Sequence, residues 1–370
     1  MRIAVLGGFA PSLTNFRGPM IKAMVDAGHE VIGLAPEVDE AVITRLASFG
    51  VTFRPVPLGR TGLNPMQDLK SIRALTEIFR DLKPDLVLSY TIKPVIYGSI
   101  AAARAGVPHR HAMITGLGST LQGHGFKMRC ISTLTKWLYR RGLAKNQGVF
   151  FQNPDDRAFF ERNGLLPKSA KVTIINGSGV DLAHYAPAPL PEGPPTFLLV
   201  ARLTREKGLL EYVEAARILK ARFPEARFQV LGGLDSNPTG VSQKQVEAWA
   251  HEGLIEPLGL TKDVRPFIAS AHVIVLPSYG EGTPRSVLEG MAMGRAIVTT
   301  LAPGCRETVV EGMNGFLVPT QDASALAAAM AKFLEQPSLL RTMGAASLAQ
   351  AEAKYDVHKV NAVILGALGI

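Results

Sequence analysis

The chain has 370 residues, 47% apolar and 19% charged, with two cysteines and a net charge of +9. That length exceeds one ordinary core and suggests two domains. Cys130 and Cys305 lie far apart and form no CxxC pair, which argues against a disulfide framework or a zinc site and for a reducing compartment.

The opening Met1-Arg-Ile-Ala-Val-Leu-Gly-Gly run is too short for a signal peptide, and no stretch approaches the ~18 apolar residues of a spanning helix. Residues 1–185 hold 23 Lys/Arg against 13 Asp/Glu, and residues 186–370 hold 17 against 18. The basic excess therefore sits in the first half. It suits an anionic membrane, a nucleic acid or a phosphorylated substrate, or is simply a solvated face.

In chain order, short apolar runs predict strands at Ile3–Gly7, Val31–Ala35, Val51–Pro55, Leu86–Ser89, His111–Ile114, Val149–Gln152 and Val172–Ile175. Helical patterns at Gly18–Ala27, Asp68–Leu82 and Pro94–Ala105 lie between several of them. The runs are continuous Val/Ile/Leu rather than alternating, as in parallel strands buried on both faces. A passage from His184 to Pro195 then carries five prolines in nine residues and predicts an extended interdomain linker. The rhythm restarts with strands at Phe197–Ala201, Phe228–Leu231, Val273–Leu276, Ala296–Thr300 and Phe316–Val318. Helices follow at Gly208–Arg222, Val241–Glu252, Arg285–Met293, Ser324–Leu334 and Leu339–Lys354. The expected organisation is an α/β protein: a first doubly wound domain over 1–183, a linker over 184–195, a second doubly wound domain over 196–350, and a C-terminal helix within 351–370 with the option of packing back on the first domain. Ligands in such sheets bind beyond the carboxyl ends of the strands, and two of them in tandem would form a cleft.

Three motifs carry chemistry. Gly7-Gly8 after the first strand offers close backbone approach to an anion, or mere turn chemistry. It is not GxGxxG and has no obvious ribose-reading acid after it. The run Pro277-Ser-Tyr-Gly-Glu281-Gly-Thr-Pro-Arg-Ser-Val-Leu-Glu289 places one carboxylate in a strand-to-helix loop and another inside the helix. Glu281 can accept bonds from sugar hydroxyls. Gly282 and Thr283 at the helix start can face a diphosphate, and Glu289 can take a ribose diol. The run Ala201-Arg202-Leu-Thr-Arg205-Glu-Lys207-Gly208 sets cations in another strand-to-helix loop, where Arg202 and Lys207 suit a diphosphate clamp.

The Arg202…Lys207-Gly pair, the Glu281-x7-Glu289 spacing and the Asn314-Gly-Phe-Leu-Val-Pro319 run resemble glycosyltransferase family four, with the GT-B fold of two Rossmann-like parallel-sheet domains. The resemblance covers essentially the whole chain. Phe9–Gly18, Tyr90–Pro94, Met113–Gly118 and Phe151–Asp156 resemble bacterial galactosaminyltransferases that extend glycans on undecaprenyl diphosphate. The resemblance implies a UDP-sugar donor and a polyprenyl-diphosphate-linked acceptor, with retention of stereochemistry and no metal or other cofactor. Arg202 and Lys207 would hold the diphosphate, Glu281 the transferred hexose (GalNAc the best guess), Glu289 the ribose, Gly259 and Leu260 the uracil, and Gly8 would give room at the donor phosphates.

Where many relatives carry a His-Asp or His-Gly pair, this chain reads Thr115-Gly116, so no catalytic histidine is transferred; His111 reads as core. Acceptor contacts fall on Asn15, Arg17, Lys93, Thr115 and His124. The stretch around 127–145 is basic and amphipathic, with Trp137 and Tyr139. It reads either as a helix on an anionic membrane, which would put the protein in the cytoplasm at the inner face, or as an ordinary packed helix. Rival functions are a nucleotide-sugar epimerase on the same fold and a non-catalytic membrane scaffold. A nucleic-acid partner lacks both an aromatic RNA-binding pattern and a recognition helix.

Overall fold

In the computed structural model, which describes residues 1–59, 65–118, 121, 126–235, 237 and 239–370, the apolar runs form two all-parallel sheets. The chain divides into one compact unit of residues 1–178 with 359–370 and a second of 179–358.

In the first unit, β1 (Arg2–Leu6), β2 (Glu30–Ala35), β3 (Thr52–Pro55), β4 (Leu86–Tyr90), β5 (His109–Ile114), β6 (Gly148–Phe151) and β7 (Lys171–Ile174) lie in the order 3-2-1-4-5-6-7. Ile3 pairs with Val31 on one side and Leu86 on the other. Successive strand residues face opposite ways, so Ile3 and Val5 enter one core while Ala4 and Leu6 enter the other. Around β1 both faces are dry, and this removes the polar alternation from its sequence. Val360, Ile364 and Leu368 belong to the Ile3/Val5 core.

In the second unit, β8 (Thr196–Val200), β9 (Arg227–Leu231), β10 (Glu256–Gly259), β11 (Val273–Leu276), β12 (Ala296–Thr300) and β13 (Gly315–Val318) lie in the order 10-9-8-11-12-13. Phe197 pairs with Phe228 and with Val273. The strand β10 escaped the sequence reading because it is a four-residue edge strand holding Pro257, which an edge tolerates. In each sheet the order reverses at one place, between β1 and β4 and between β8 and β11, where the loops beyond the strands diverge and leave room for a ligand.

The expected boundaries need correction. The chain changes unit at Ser178/Gly179 and again at His358/Lys359, not at 184–195 and 350. The proline-rich passage is no free linker; it is bonded into the second unit. Arg295 is fully buried and donates to the carbonyls of Ala188, Pro189, Ile268 and Ala269 at 2.9–3.2 Å. His272 accepts from the Thr196 amide through Nδ1 at 3.1 Å and reaches the Pro191 carbonyl through Nε2 at 3.1 Å. Prolines cannot donate from their own nitrogens, so their carbonyls depend on donors such as these.

The helix Phe126–Leu143 packs on the helical run Pro94–Arg104; Thr135, Tyr139 and Leu143 are buried, while Leu134 and Trp137 are exposed. No helix among the described residues is long and apolar enough to cross a membrane.

Arg295→Met removes four hydrogen bonds from a fully buried guanidinium and should cost the second unit about 3 kcal/mol, read by urea unfolding. His111 is buried on β5, and that burial pulls its imidazole down to about 4. The unfolded chain then binds a proton that the native one refuses, so stability should fall as pH drops from about 6.5 towards 4. His111→Gln should remove that share of the acid sensitivity of the unfolding midpoint.

Candidate active site

The second unit places Lys207 and Glu281 where the strand order reverses. After β8, Arg205–Lys207 forms a single 3-10 turn, and Gly208 follows with φ +72°. A Cβ on Gly208 would lie 2.1 Å from the Pro277 carbonyl oxygen, so the β8 and β11 loops approach as closely as glycine alone permits. A backbone bond then locks them together: the Tyr279 amide donates to the Glu206 carbonyl at 2.9 Å. From the β12 side, the Pro303 carbonyl accepts from the Glu281 amide at 2.9 Å, and Thr300 donates to the Ser278 carbonyl at 2.5 Å.

These constraints put Lys207 Nζ against Glu281 Oε1 in a short charge-assisted hydrogen bond, with Ser278 Oγ donating to the same oxygen at 2.8 Å. Both charged side chains are largely buried, at 21% and 15% exposure, so their attraction is screened far less than that of a surface pair. Cys305 lies nearby, and burial pushes its thiol up to about 12, which leaves it a packing residue and not a nucleophile.

Glu289 lies one turn into the helix Arg285–Ala292, which starts after Pro284 as the sequence predicts. It is buried, and its Oε1 meets the Tyr185 hydroxyl and Arg285 Nη2, each at 3.0 Å. Burial raises its carboxyl above the usual range, while Arg285 and Tyr185 pull the other way. A solvated helix-surface role is therefore excluded. Thr283 precedes that helix, its hydroxyl donating to the Gly282 carbonyl at 3.0 Å. Gly259 ends β10, and Leu260 beyond it is 83% exposed.

Arg202 is not brought to this pair. Its side chain is 63% exposed, and its guanidinium meets Asp235, in the loop after β9. Sequence reading missed Ser278, Tyr185, Arg285 and Asp235. The i,i+4 spacing of Arg285 and Glu289 was a usable signal. Tyr185 carried none, because it lies in the passage taken for a linker.

In the first unit, Gly8 follows β1 beside Thr91 and Pro94. Asn15 is exposed at the end of the helix Pro11–Asn15, and Thr115 is half-buried just past β5. Arg17 is not an open basic side chain: it is 3% exposed and lies 5.2 Å over the Tyr90 ring. Lys93 is likewise mostly buried, 3.1 Å from Asp68. His124 lies outside the described residues. Among the described residues, no group of three or more His, Cys, Asp or Glu is placed to hold a metal ion.

Residues 16–177 match the glycosyl transferase 4-like domain, and residues 194–336 match the glycosyl transferases group 1 family. A Campylobacter jejuni protein, N,N'-diacetylbacillosaminyl-diphospho-undecaprenol alpha-1,3-N-acetylgalactosaminyltransferase, is 30% identical over 96% of this chain and 95% of its own. The chain belongs to glycosyltransferase family four. An Escherichia coli relative, UDP-Gal:alpha-D-GlcNAc-diphosphoundecaprenol alpha-1,3-galactosyltransferase, is 25% identical over 77% of this chain and 75% of its own.

Among solved structures, sucrose-phosphate synthase from Thermosynechococcus elongatus superimposes with a TM-score of 0.82 at 19% identity, covering 100% of this chain and 98% of that one. HepE of Anabaena, solved with UDP, gives 0.79 at 18% identity, with all of both chains covered. These likenesses establish the GT-B fold.

For this family-four chain, Gly208→Ala should force the β8 and β11 loops apart. The left-handed backbone and the clash with the Pro277 carbonyl together should cost about 2–4 kcal/mol, read by urea unfolding.

Proposed function

We propose that this glycosyltransferase moves a hexose or N-acetylhexosamine, GalNAc foremost, from a UDP-sugar to a saccharide carried on polyprenyl diphosphate. The reaction retains stereochemistry and uses no metal. The observation that carries the reading is the Lys207–Glu281 pair, held with Ser278 where β8 and β11 diverge. The two relatives named for diphosphoundecaprenol substrates support the acceptor class.

A diphosphate entering this place competes with Glu281 for the Lys207 ammonium. That competition frees the carboxylate to accept from hydroxyls of the sugar being transferred. As the glycosidic bond breaks, charge grows on the departing UDP, and Lys207 and the amides of Gly282 and Thr283 stabilise it, joined by Arg202 when its guanidinium swings from Asp235 to the diphosphate. Glu289 is held through Oε1 by Tyr185 and Arg285 and turns Oε2 to the ribose diol, while Gly259 and Leu260 meet the uracil. The acceptor attacks on the face from which UDP leaves, and the leaving phosphate takes the acceptor's proton. The first unit holds the acceptor. Its net basic charge draws it to the cytoplasmic face of an anionic membrane, with Trp137 and Leu134 foremost.

Lys207→Ala and Glu281→Ala should each cut transfer by about 10²–10³-fold. The assay offers UDP-GalNAc, UDP-Gal, UDP-GlcNAc and GDP-mannose against a synthetic polyprenyl-diphosphate saccharide, with products read by mass. Near-wild-type transfer by either variant would refute the assignment. Conversion of free UDP-sugar without acceptor would point to an epimerase instead.

A further inference from the structure

We infer that a groove in the first unit, separate from the donor site, seats the first isoprene units of the polyprenyl chain of the acceptor. The proposal rests on the lipid-linked acceptor class above and adds where the hydrocarbon lies. The cavity has a volume of about 730 Å³, within the range of small-molecule sites. Its walls are apolar: Leu69 and Ile72 come from the helix Pro65–Leu82, Ile100 and Ala103 from the helical run Pro94–Arg104, and Leu134 and Leu138 from Phe126–Leu143. Such a surface open to water is costly unless something apolar covers it, and Leu69, Leu134 and the neighbouring Trp137 are 44%, 43% and 50% exposed.

The ends of the groove differ, and the difference selects the occupant. One end lies by Asp68 and Tyr97. Asp68 pairs with Lys93, the third residue beyond β4, so this end opens at the carboxyl edge of the sheet, where the acceptor's reacting sugar belongs. The other end carries Arg104, Arg141 and Lys145. Arg104 closes the helical run that leads to β5, and Lys145 precedes β6, so these cations sit toward the amino edge of the sheet. The run Pro94–Arg104 spans about 15 Å between the two ends. A chain with an anionic head at the carboxyl edge would lie on Leu and Ile side chains and emerge among three cations, where anionic lipid headgroups complement them. A free acyl chain has no reason to begin at the Asp68–Lys93 end, and a soluble sugar has none to line itself with leucine.

The test uses the full chain and two readouts. First, KM is measured for the same diphosphate-linked sugar carrying a single prenyl unit, a farnesyl chain or an undecaprenyl chain. Farnesyl should lower KM by about tenfold or more relative to the single unit, with little further gain for undecaprenyl. Ala103→Phe, which fills the groove, should collapse that ratio towards one, with thermal melting to identify a misfolded variant. Second, in a Trp249→Phe background that leaves Trp137 as the single tryptophan, farnesyl diphosphate should shift the emission and inorganic pyrophosphate should not. The second readout needs no turnover, so an inactive enzyme with a farnesyl response would refute the function and keep the groove. No farnesyl response, chain-length dependence that survives Ala103→Phe, or an equal shift with phosphatidylglycerol vesicles that farnesyl diphosphate does not compete away would each overturn the proposal.

Discussion

Parallel sheets covered on both faces leave a protein few places to put charge. Along β1 and β8 nearly every side chain is enclosed, and an ionised group there would lose its hydration without compensation. Polar chemistry is therefore expelled to the strand ends. Only where neighbouring loops diverge is there room for both a charge and its ligand. The Lys207–Glu281 pair occupies such a place, and its partners are the structural by-products of keeping three loops in register: a 3-10 turn, a serine and backbone amides.

That pair also explains why the site can be built before any ligand arrives. An isolated ammonium or carboxylate at this burial would be costly, whereas together they satisfy one another. Glu289 shows the same economy on a helix, where the Arg285 and Tyr185 contacts offset the cost of enclosing a carboxylate.

Much of this was legible from residues alone. Short apolar runs located twelve of the thirteen strands, most plainly the central ones, because double-sided burial writes itself directly into composition, while the edge strands β3 and β7 are only partly covered. Glu281 was legible as a carboxylate in a Gly/Pro loop after an apolar strand, and Lys207 as a cation between a strand and a helix, where a charge has little structural excuse. What escaped depended on long-range contacts. No local pattern announces that Arg295 will reach back to carbonyls of Ala188 and Pro189, so a proline-rich stretch passed for a linker. Arg17 and Lys93 read as acceptor contacts, and sequence spacing does not reveal that Arg17 lies over the Tyr90 ring or that Asp68 pairs with Lys93.

The split composition of the first unit bears on how the chain is born. The core face built from Ile3, Val5 and Met24 is completed by Val360, Ile364 and Leu368, which the ribosome makes only after the entire second unit. Through most of synthesis the first sheet therefore carries an open apolar flank. Its final closure must wait for a segment that reaches it late, and a nascent chain with such a flank is a natural client for chaperones.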